Sequence, residues 1–486
     1  MTMLTRHAGW AATLAGLGVC AVRVGFAQPA LSSSPCRVPG LDEQVRCATL
    51  EVPENRAITG GRTIPLRIVI LPSRAPANAP RQALFYLVGG PGLAATPLAD
   101  LVAASHSTTR ATHDIVLVDQ RGTGASNALR CEFYGTAGDV GAYLGDQFPS
   151  DSVRACALRL SRRADLTQYT TANAAADLEA VRSALGFSSI DLDASAYGTQ
   201  VALDYLGRHA DRLRTVVLQG AMPLGASLPR SAAGDAQAAL ERVMLDCAAD
   251  PFCRTSFPRL RSELNALLER FDRGPMSLRV EHPRSRDSIT VRLTRGVFAD
   301  RLRLMLYSTR LSRRIPMVVH AAHGGDWTPF VRVAYELSRV VFDQLDVGAH
   351  LSVACVDSRL PRDAMEARPP GHGHATFLGD YRLRMYQEAC AVWPHARPPG
   401  VEPVATRPLS VLVISGALDP VTPPRLAAAV ASAVPNATVI TVPGMAHAGA
   451  EKCVEAIVVE FIRRGGLTGV DTQCVNAIKP PPFITR

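Results

Sequence analysis

Lysine is almost absent. Lys452 and Lys479 are the only two lysines among 52 basic residues, and the arginines that make up the rest are scattered without a dense block. That spread argues against a nucleic-acid arm, so the formal charge of +9 reads as an arginine-rich solvated surface and no nucleic-acid partner is expected. Beyond the N-terminus no run reaches the roughly 18 apolar residues that a membrane span needs. No CxxC pair occurs and the cysteine spacings are wide, which argues against a thiolate metal site. His372 and His374 in "GHGH" stand in a Gly-Pro stretch and read as loop. No metal or cofactor is expected, and there is neither an internal repeat nor a long low-complexity tract.

What is present is ordinary globular material with one address label. The chain has 486 residues, 47% of them hydrophobic and 20% charged, enough for a sizeable core. At the start, Arg6 and His7 precede an apolar run from Ala8 to Val22, followed by small Gly25 and Ala27 before a plausible cut at Gln28. This is the order of a secretory signal peptide over residues 1–27, with Arg23 an irregularity, so a periplasmic or secreted protein is expected. "LGVC" at Cys20 is a poor lipoprotein site because Val19 is large. Eleven cysteines less Cys20 leave an even ten, which suits an oxidising compartment. Neighbours along the chain suggest Cys36–Cys47, Cys131–Cys156, Cys247–Cys253, Cys355–Cys390 and Cys453–Cys474, one of many connectivities that the sequence permits.

The patterning is that of an α/β protein. "CATLEVPENR" and "TIPLRIVILP" read as a hairpin. "QALFYLVGG", "DIVLVDQRGTG", "IDLDASAYG", "LRTVVLQGA", "LSVLVISGALD" and "ATVITVPGMAH" are short, apolar, β-branched runs. Most end in glycine, as buried parallel strands do. "TANAAADLEAVRSALG" carries helical spacing and closes on Gly186. Between about 226 and 405 the rhythm breaks into strongly helical stretches. The expected organisation is a core over 28–225 and 406–486 with a mostly helical cap inserted at 226–405.

The chemistry gathers in turns. "GALDP" puts Asp419 after one late strand, and "GMAHAG" puts His447 after the next, 28 residues on. An acid beside a histidine fixes the imidazole tautomer and stabilises its charged form, leaving the ring to act as base and then acid. Earlier, "VGGPG" supplies a loop, Gly89, Gly90 and Gly92, whose backbone can approach a ligand closely. "DASAYG" turns from strand to helix, where a nucleophile would stand. An oxyanion would then be met by the glycine loop and the N–H of Tyr197, the residue after the nucleophile position.

"VGGPG", "DQRGTGASN", "AYGTQVAL", "GALDPVTP" and "GMAHAG", in that order, resemble the proline iminopeptidase and tripeptidyl aminopeptidase family of α/β-hydrolases. "CATLEVPEN", "LDCAADPFC" and "VACVDS" are similar to its exported branch, and the likeness runs from about Cys36 to Cys474. It implies a mostly parallel sheet with a helical cap, no cofactor, and removal of N-terminal residues from peptides or cleavage of small esters and amides. Asp419 and His447 carry over as acid and base. The family holds the substrate's α-ammonium with acidic side chains of the cap. Asp357 is one candidate for that role, with capping or a salt bridge as the other readings.

Two departures matter. The residue before Gly-Gly-Pro-Gly, histidine or asparagine in the family, is Val88. The family's Gly-x-Ser-Tyr-Gly is Ala194-Ser195-Ala196-Tyr197-Gly198, with Ala196 at the nucleophile position. Ser195 serves only if the turn slips by one residue, which would place Asp193 and Tyr197 where the elbow needs small residues. The register therefore favours Ala196. Three accounts follow: a pseudoenzyme that binds peptides or small molecules in the capped pocket, a Ser→Ala exchange, or an altered turn that uses Ser195. A single exchange does not explain the neighbourhood, since Asp193, Ala194 and Ser195 are atypical too.

Overall fold

The computed structural model describes residues 31–135, 138–360, 376–397, 408–447 and 451–485. The expected leader with Cys20, and the His372 and His374 pair, lie outside the described residues.

The apolar runs become strands: β1 (Ser34–Cys36), β2 (Val45–Pro53), β3 (Thr63–Leu71), β4 (Gln82–Leu87), β5 (His113–Val118), β6 (Ile190–Ser195), β7 (Leu213–Gln219), β8 (Met276–Glu281), β9 (Ser288–Leu293), β10 (Ser410–Gly416) and β11 (Ala437–Val442). Nine of them form one sheet in the order β1-β2-β3-β5-β4-β6-β7-β10-β11. From β5 to β11 every neighbouring pair is parallel, while β1, β2 and β3 join antiparallel at one edge. With helices on both faces this is an α/β-hydrolase fold. Alternation along each strand feeds two apolar layers. Val411 and Val413 of β10 face one side with Phe85 and Leu192, whereas Leu412 and Ile414 face the other with Leu84 and Leu117. Burial on both faces explains why these strands read as continuous apolar runs rather than alternating ones.

Parallel strands deliver their carboxyl ends to one edge of the sheet, where a crevice forms. The loops after β4, β6, β10 and β11 therefore converge, although they are far apart in sequence. The helix Gly198–His209 leaves β6 after a two-residue turn and packs beside Thr171–Ala184, whose first turn is capped by the Thr170 side chain.

Over that edge lies the inserted part. Helices Leu228–Ala249, Leu260–Asp272, Arg295–Met305, Ile315–His323 and Thr328–Phe342 enclose their own core, in which the rings of Phe271, Phe298, Trp327 and Phe330 pack, mostly edge-on, with centroids 5.0–6.0 Å apart. The insertion is not wholly helical: β8 and β9 form an antiparallel hairpin within it. Tyr134 and Tyr143, from before the insertion, are buried in the same core. Conversely, the helices Val347–Asp357 and Tyr381–Val392 bury residues against the sheet's core. All five cysteine pairs suggested by chain neighbours are disulfide-bonded, and Cys355–Cys390 staples those last two helices together. No described helix is long and apolar enough to cross a membrane.

Candidate active site

β10 and β11 are adjacent and in register, so the turns that follow them meet. His447 Nδ1 stands 2.8 Å from Asp419 Oδ2. Asp419 is locked from the other side: its Oδ1 accepts the N–H groups of Val421 and Thr422 at 2.7 and 2.9 Å, and Thr422 Oγ1 donates to Oδ2 at 2.6 Å. Burial raises the Asp419 carboxyl, but the contacts with His447 and Thr422 outweigh it and hold the group below its usual value. A carboxylate only accepts, so Nδ1 carries the proton and Nε2 presents a lone pair. Nε2 has no hydrogen-bond partner among the described residues, and the ring, 15% exposed, borders a cavity. Tyr307 meets the His447 ring edge-on at 5.1 Å.

At the end of β6 the chain turns sharply. Ala196 has φ +48°, in the left-handed region that costs a non-glycine residue about 1–2 kcal/mol. Its N–H is tied to Gln219 O at 2.9 Å, and its carbonyl accepts Thr199 N at 3.0 Å. The turn is crowded. A Cβ on Gly198 would lie 2.4 Å from Leu87 O, so only glycine lets the helix start there. A Cβ on Gly89 would lie 2.9 Å from the Ala196 methyl and 3.8 Å from Tyr197 N, so the glycine loop and the elbow touch at this point. The N–H groups of Gly89, Gly90 and Tyr197 have no acceptor among the described residues. Unpaired backbone donors beside a cavity are what an oxyanion hole requires.

The structure thus brings Ala196, Gly89, Gly90, Tyr197, Asp419 and His447 to one cavity of about 590 Å³. Two further candidates are placed differently. Ser195, the last residue of β6, also borders this cavity. No hydrogen bond links it to His447 among the described residues, where the ring's Nδ1 is held by Asp419. Ser195 belongs to the strand, whereas Ala196 stands in the left-handed turn where the elbow's exposed side chain is expected. Gly92 does not border the cavity. Its carbonyl accepts Asp346 N at 2.9 Å, and a Cβ there would lie 3.0 Å from that of His350. The loop turns between Gly90 and Gly92, so Gly92 packs against the helix that carries His350.

Asp357, the last residue of the helix Val347–Asp357, lines the same cavity. It makes no ion pair among the described residues. Its partner is Thr171 Oγ1, which donates at 2.6 Å and also lies 3.0 Å from the Tyr197 hydroxyl. Burial pushes its carboxyl up to about 6, with the Thr171 hydrogen bond and the charge of Arg359 opposing the rise and nearby Asp204 adding to it. Its position at a helix C-terminus disfavours negative charge further. Sequence reading missed Thr422, Thr171 and Tyr307. Thr422 carried a local signal, a hydroxyl three residues after an acid in a turn; the other two carried none.

Residues 375–474, which include Asp419 and His447, match the α/β-hydrolase family described as "TAP-like protein". No curated protein matches the chain in sequence. Similar solved structures include a proline iminopeptidase from Mycobacterium smegmatis, 16% identical, covering 87% of this chain and 99% of that one with a TM-score of 0.41. A thermophilic esterase from Thermogutta terrifontis is 14% identical over 86% and 98% of the two chains, with a TM-score of 0.38. An esterase from Exiguobacterium antarcticum is 13% identical over 83% and 96%, with a TM-score of 0.37.

Proposed function

We propose that the chain is an exported hydrolase of peptide, amide or ester bonds in small substrates, in which water replaces the missing serine hydroxyl. The substrate carbonyl rests on the Ala196 methyl with its oxygen toward the N–H groups of Gly89 and Tyr197. His447 Nε2 takes a proton from water, and the water oxygen bonds to the carbonyl carbon. The imidazolium, stabilised by Asp419, gives that proton to the leaving nitrogen or oxygen as the carbon–heteroatom bond breaks. No acyl-enzyme forms, because no hydroxyl stands at 196. Asp357 holds the α-ammonium of an N-terminal residue. Five disulfides support an oxidising, exported setting.

The observation that carries this reading is the free His447 Nε2 beside unpaired backbone donors at a strained elbow. Residual catalysis of this kind is about 10³–10⁴ over water where a triad lacks its nucleophile. The Ala196 methyl itself favours a second reading, a binding protein that uses the same cavity without turnover. Kinetics on aminoacyl p-nitroanilides and short p-nitrophenyl esters separate the two. Slow wild-type hydrolysis that vanishes in His447→Ala is expected, with Ala196→Ser raising kcat/KM by about 10³-fold or more. A wild-type rate equal to that of His447→Ala, with an active Ala196→Ser, establishes the binding reading. An inert Ala196→Ser refutes the site assignment.

A further inference from the structure

The cavity that Asp357 lines also has a cationic wall, which takes no part in the proposed reaction. Arg303 and Arg382 both line it, and Arg303 is only 3% exposed. They share one carboxylate: Arg303 Nε and Arg382 Nη1 donate to Asp300 Oδ1 at 2.9 and 3.0 Å, while Arg301 Nη1 donates to Oδ2 at 3.0 Å. Burial raises the Asp300 carboxyl, but the three guanidiniums overcome it and hold the group far below its usual range. Arg301 is spent on structure, donating to the carbonyls of Tyr143 and Gly145. Among the described residues no other carboxylate hydrogen-bonds any of the three arginines. Three cations to one anion leave buried positive charge unmatched, which is costly without a partner. The forks are also held still. Arg303 Nη1 donates to the Tyr307 hydroxyl at 2.9 Å and Arg382 Nη2 to the Tyr386 hydroxyl at 3.2 Å, whereas Arg303 Nη2 has no acceptor among the described residues.

Two contacts locate this wall relative to the reacting centre. Arg303 lies 5.1 Å from the Tyr307 ring, whose other neighbour is His447, so one aromatic ring separates the wall from the base. Tyr386, beside Arg382, lies 2.8 Å from His350 Nε2, and His350 Nδ1 lies 2.9 Å from Pro91 O in the glycine loop. His350 and Asp357 are seven residues apart on one helix, about 10 Å by the α-helical rise of about 1.5 Å per residue. Since His350 is joined to Arg382 through the Tyr386 hydroxyl, that helix span sets the scale of the gap, and an extended peptide at about 3.3–3.6 Å per residue covers it with about three residues.

We infer that Arg303 and Arg382 form a carboxylate-binding subsite, and that the cavity takes short free peptides of two or three residues, with the ammonium at Asp357 and the C-terminal carboxylate at the arginines. This rests on the peptide reading of the site. It places the carboxylate on the leaving-group side, next to the histidine that returns the proton. A guanidinium fork suits a planar carboxylate.

Titration calorimetry at pH 7.5 on the full chain tests it, with trialanine, trialanine amide, hexa-alanine and inorganic phosphate as ligands and peptide integrity followed by mass spectrometry. Trialanine is expected to bind at least about 10-fold more tightly than its amide or hexa-alanine. Arg303→Gln is expected to bring the acid-to-amide ratio close to one, and Arg303→Lys, which keeps the charge, to retain part of it. That partial retention excludes misfolding as the cause. Equal binding of acid and amide overturns the inference, as does absence of trialanine binding up to millimolar concentration. Phosphate binding that depends on Arg303 without acid-over-amide preference shows a general anion site and also overturns it. Binding is read without turnover. A chain that hydrolyses nothing yet selects the free acid through Arg303 therefore refutes the proposed reaction and keeps this subsite; the reverse pattern does the opposite.

Discussion

Three histidine–carboxylate pairs hold together at the sheet, and two of them do something different from the third. His447 meets Asp419 through Nδ1 at 2.8 Å. His106 meets Asp193 through Nε2 at 3.0 Å, and His113 meets Asp191 through Nε2 at 3.1 Å. In the latter two the remaining nitrogen is already satisfied by the preceding residue: Ser105 Oγ lies 2.9 Å from His106 Nδ1, and Thr112 Oγ1 lies 2.8 Å from His113 Nδ1. Each is a hydroxyl–imidazole–carboxylate array, and neither borders the cavity. His113 opens β5, so its pair sits at the amino end of the parallel strands, away from the crevice that their carboxyl ends form. A carboxylate at hydrogen-bond distance therefore does not mark a reactive histidine. The mark is the nitrogen left over, whether it has a partner and where it points.

The comparison breaks most sharply under mutation. In the Ala196→Ser background, His447→Ala is expected to lower kcat/KM by about 10³-fold or more with little change in urea stability. His106→Ala and His113→Ala are expected to leave turnover within about threefold and to lose stability instead, because they strand a buried carboxylate. The two losses differ. Without His106, Asp193 keeps, among the described residues, one hydrogen bond from Gln219, for a cost of about 3 kcal/mol. Without His113, Asp191 keeps Arg214 and Thr215, for about 1–2 kcal/mol. A His447→Ala protein that stays active and unfolds early would erase the distinction.

A smaller, opposite-signed pair of effects comes from the two carboxylates of the cavity. Asp357, ordinarily near 3.8, is raised to about 6, so folding takes up a proton between those values and stability falls as pH rises through that window. Asp357→Asn is expected to add about 1–2 kcal/mol at pH 7.5 and almost nothing below pH 4. Asp419 is lowered, so its contribution is present above its unfolded value and disappears on acidification. Asp419→Asn is expected to cost about 1–2 kcal/mol at pH 7.5 and progressively less as the medium is acidified below about pH 4. Urea titrations at the two pH values check both. The ammonium binding proposed for Asp357 is expected to weaken as pH drops below about 6, where the carboxyl becomes neutral.

Which parts were legible follows from where the physics is local. β-branched runs that end in glycine marked the parallel strands, and Asp419 and His447 stood in the turns after two of them. Ala196 was legible as a register within the elbow, and the positive φ at that residue is a property of the turn rather than of alanine. The hairpin β8–β9 carried a signal that was passed over: Leu278 and Val280 alternate against Val291 and Leu293, all buried. The His106–Asp193 and His113–Asp191 pairs carried none, since they join residues 87 and 78 positions apart without a motif. Asp300 and Arg303 stand three apart on one helix, but the share of Arg382 in the cluster was invisible, because it arrives only where the helices Arg295–Met305 and Tyr381–Val392 pack together. The partition of the insertion was also hidden, because Tyr134 and Tyr143 enter its core from outside and the helix Val347–Asp357 leaves it for the sheet.

The elbow itself is tested most directly by a fluorophosphonate probe with the labelled residue mapped by mass spectrometry. The geometry predicts no adduct on the wild-type chain and a single adduct at position 196 in Ala196→Ser, lost when His447 is also replaced by alanine. An adduct on Ser195 of the wild-type chain would contradict it.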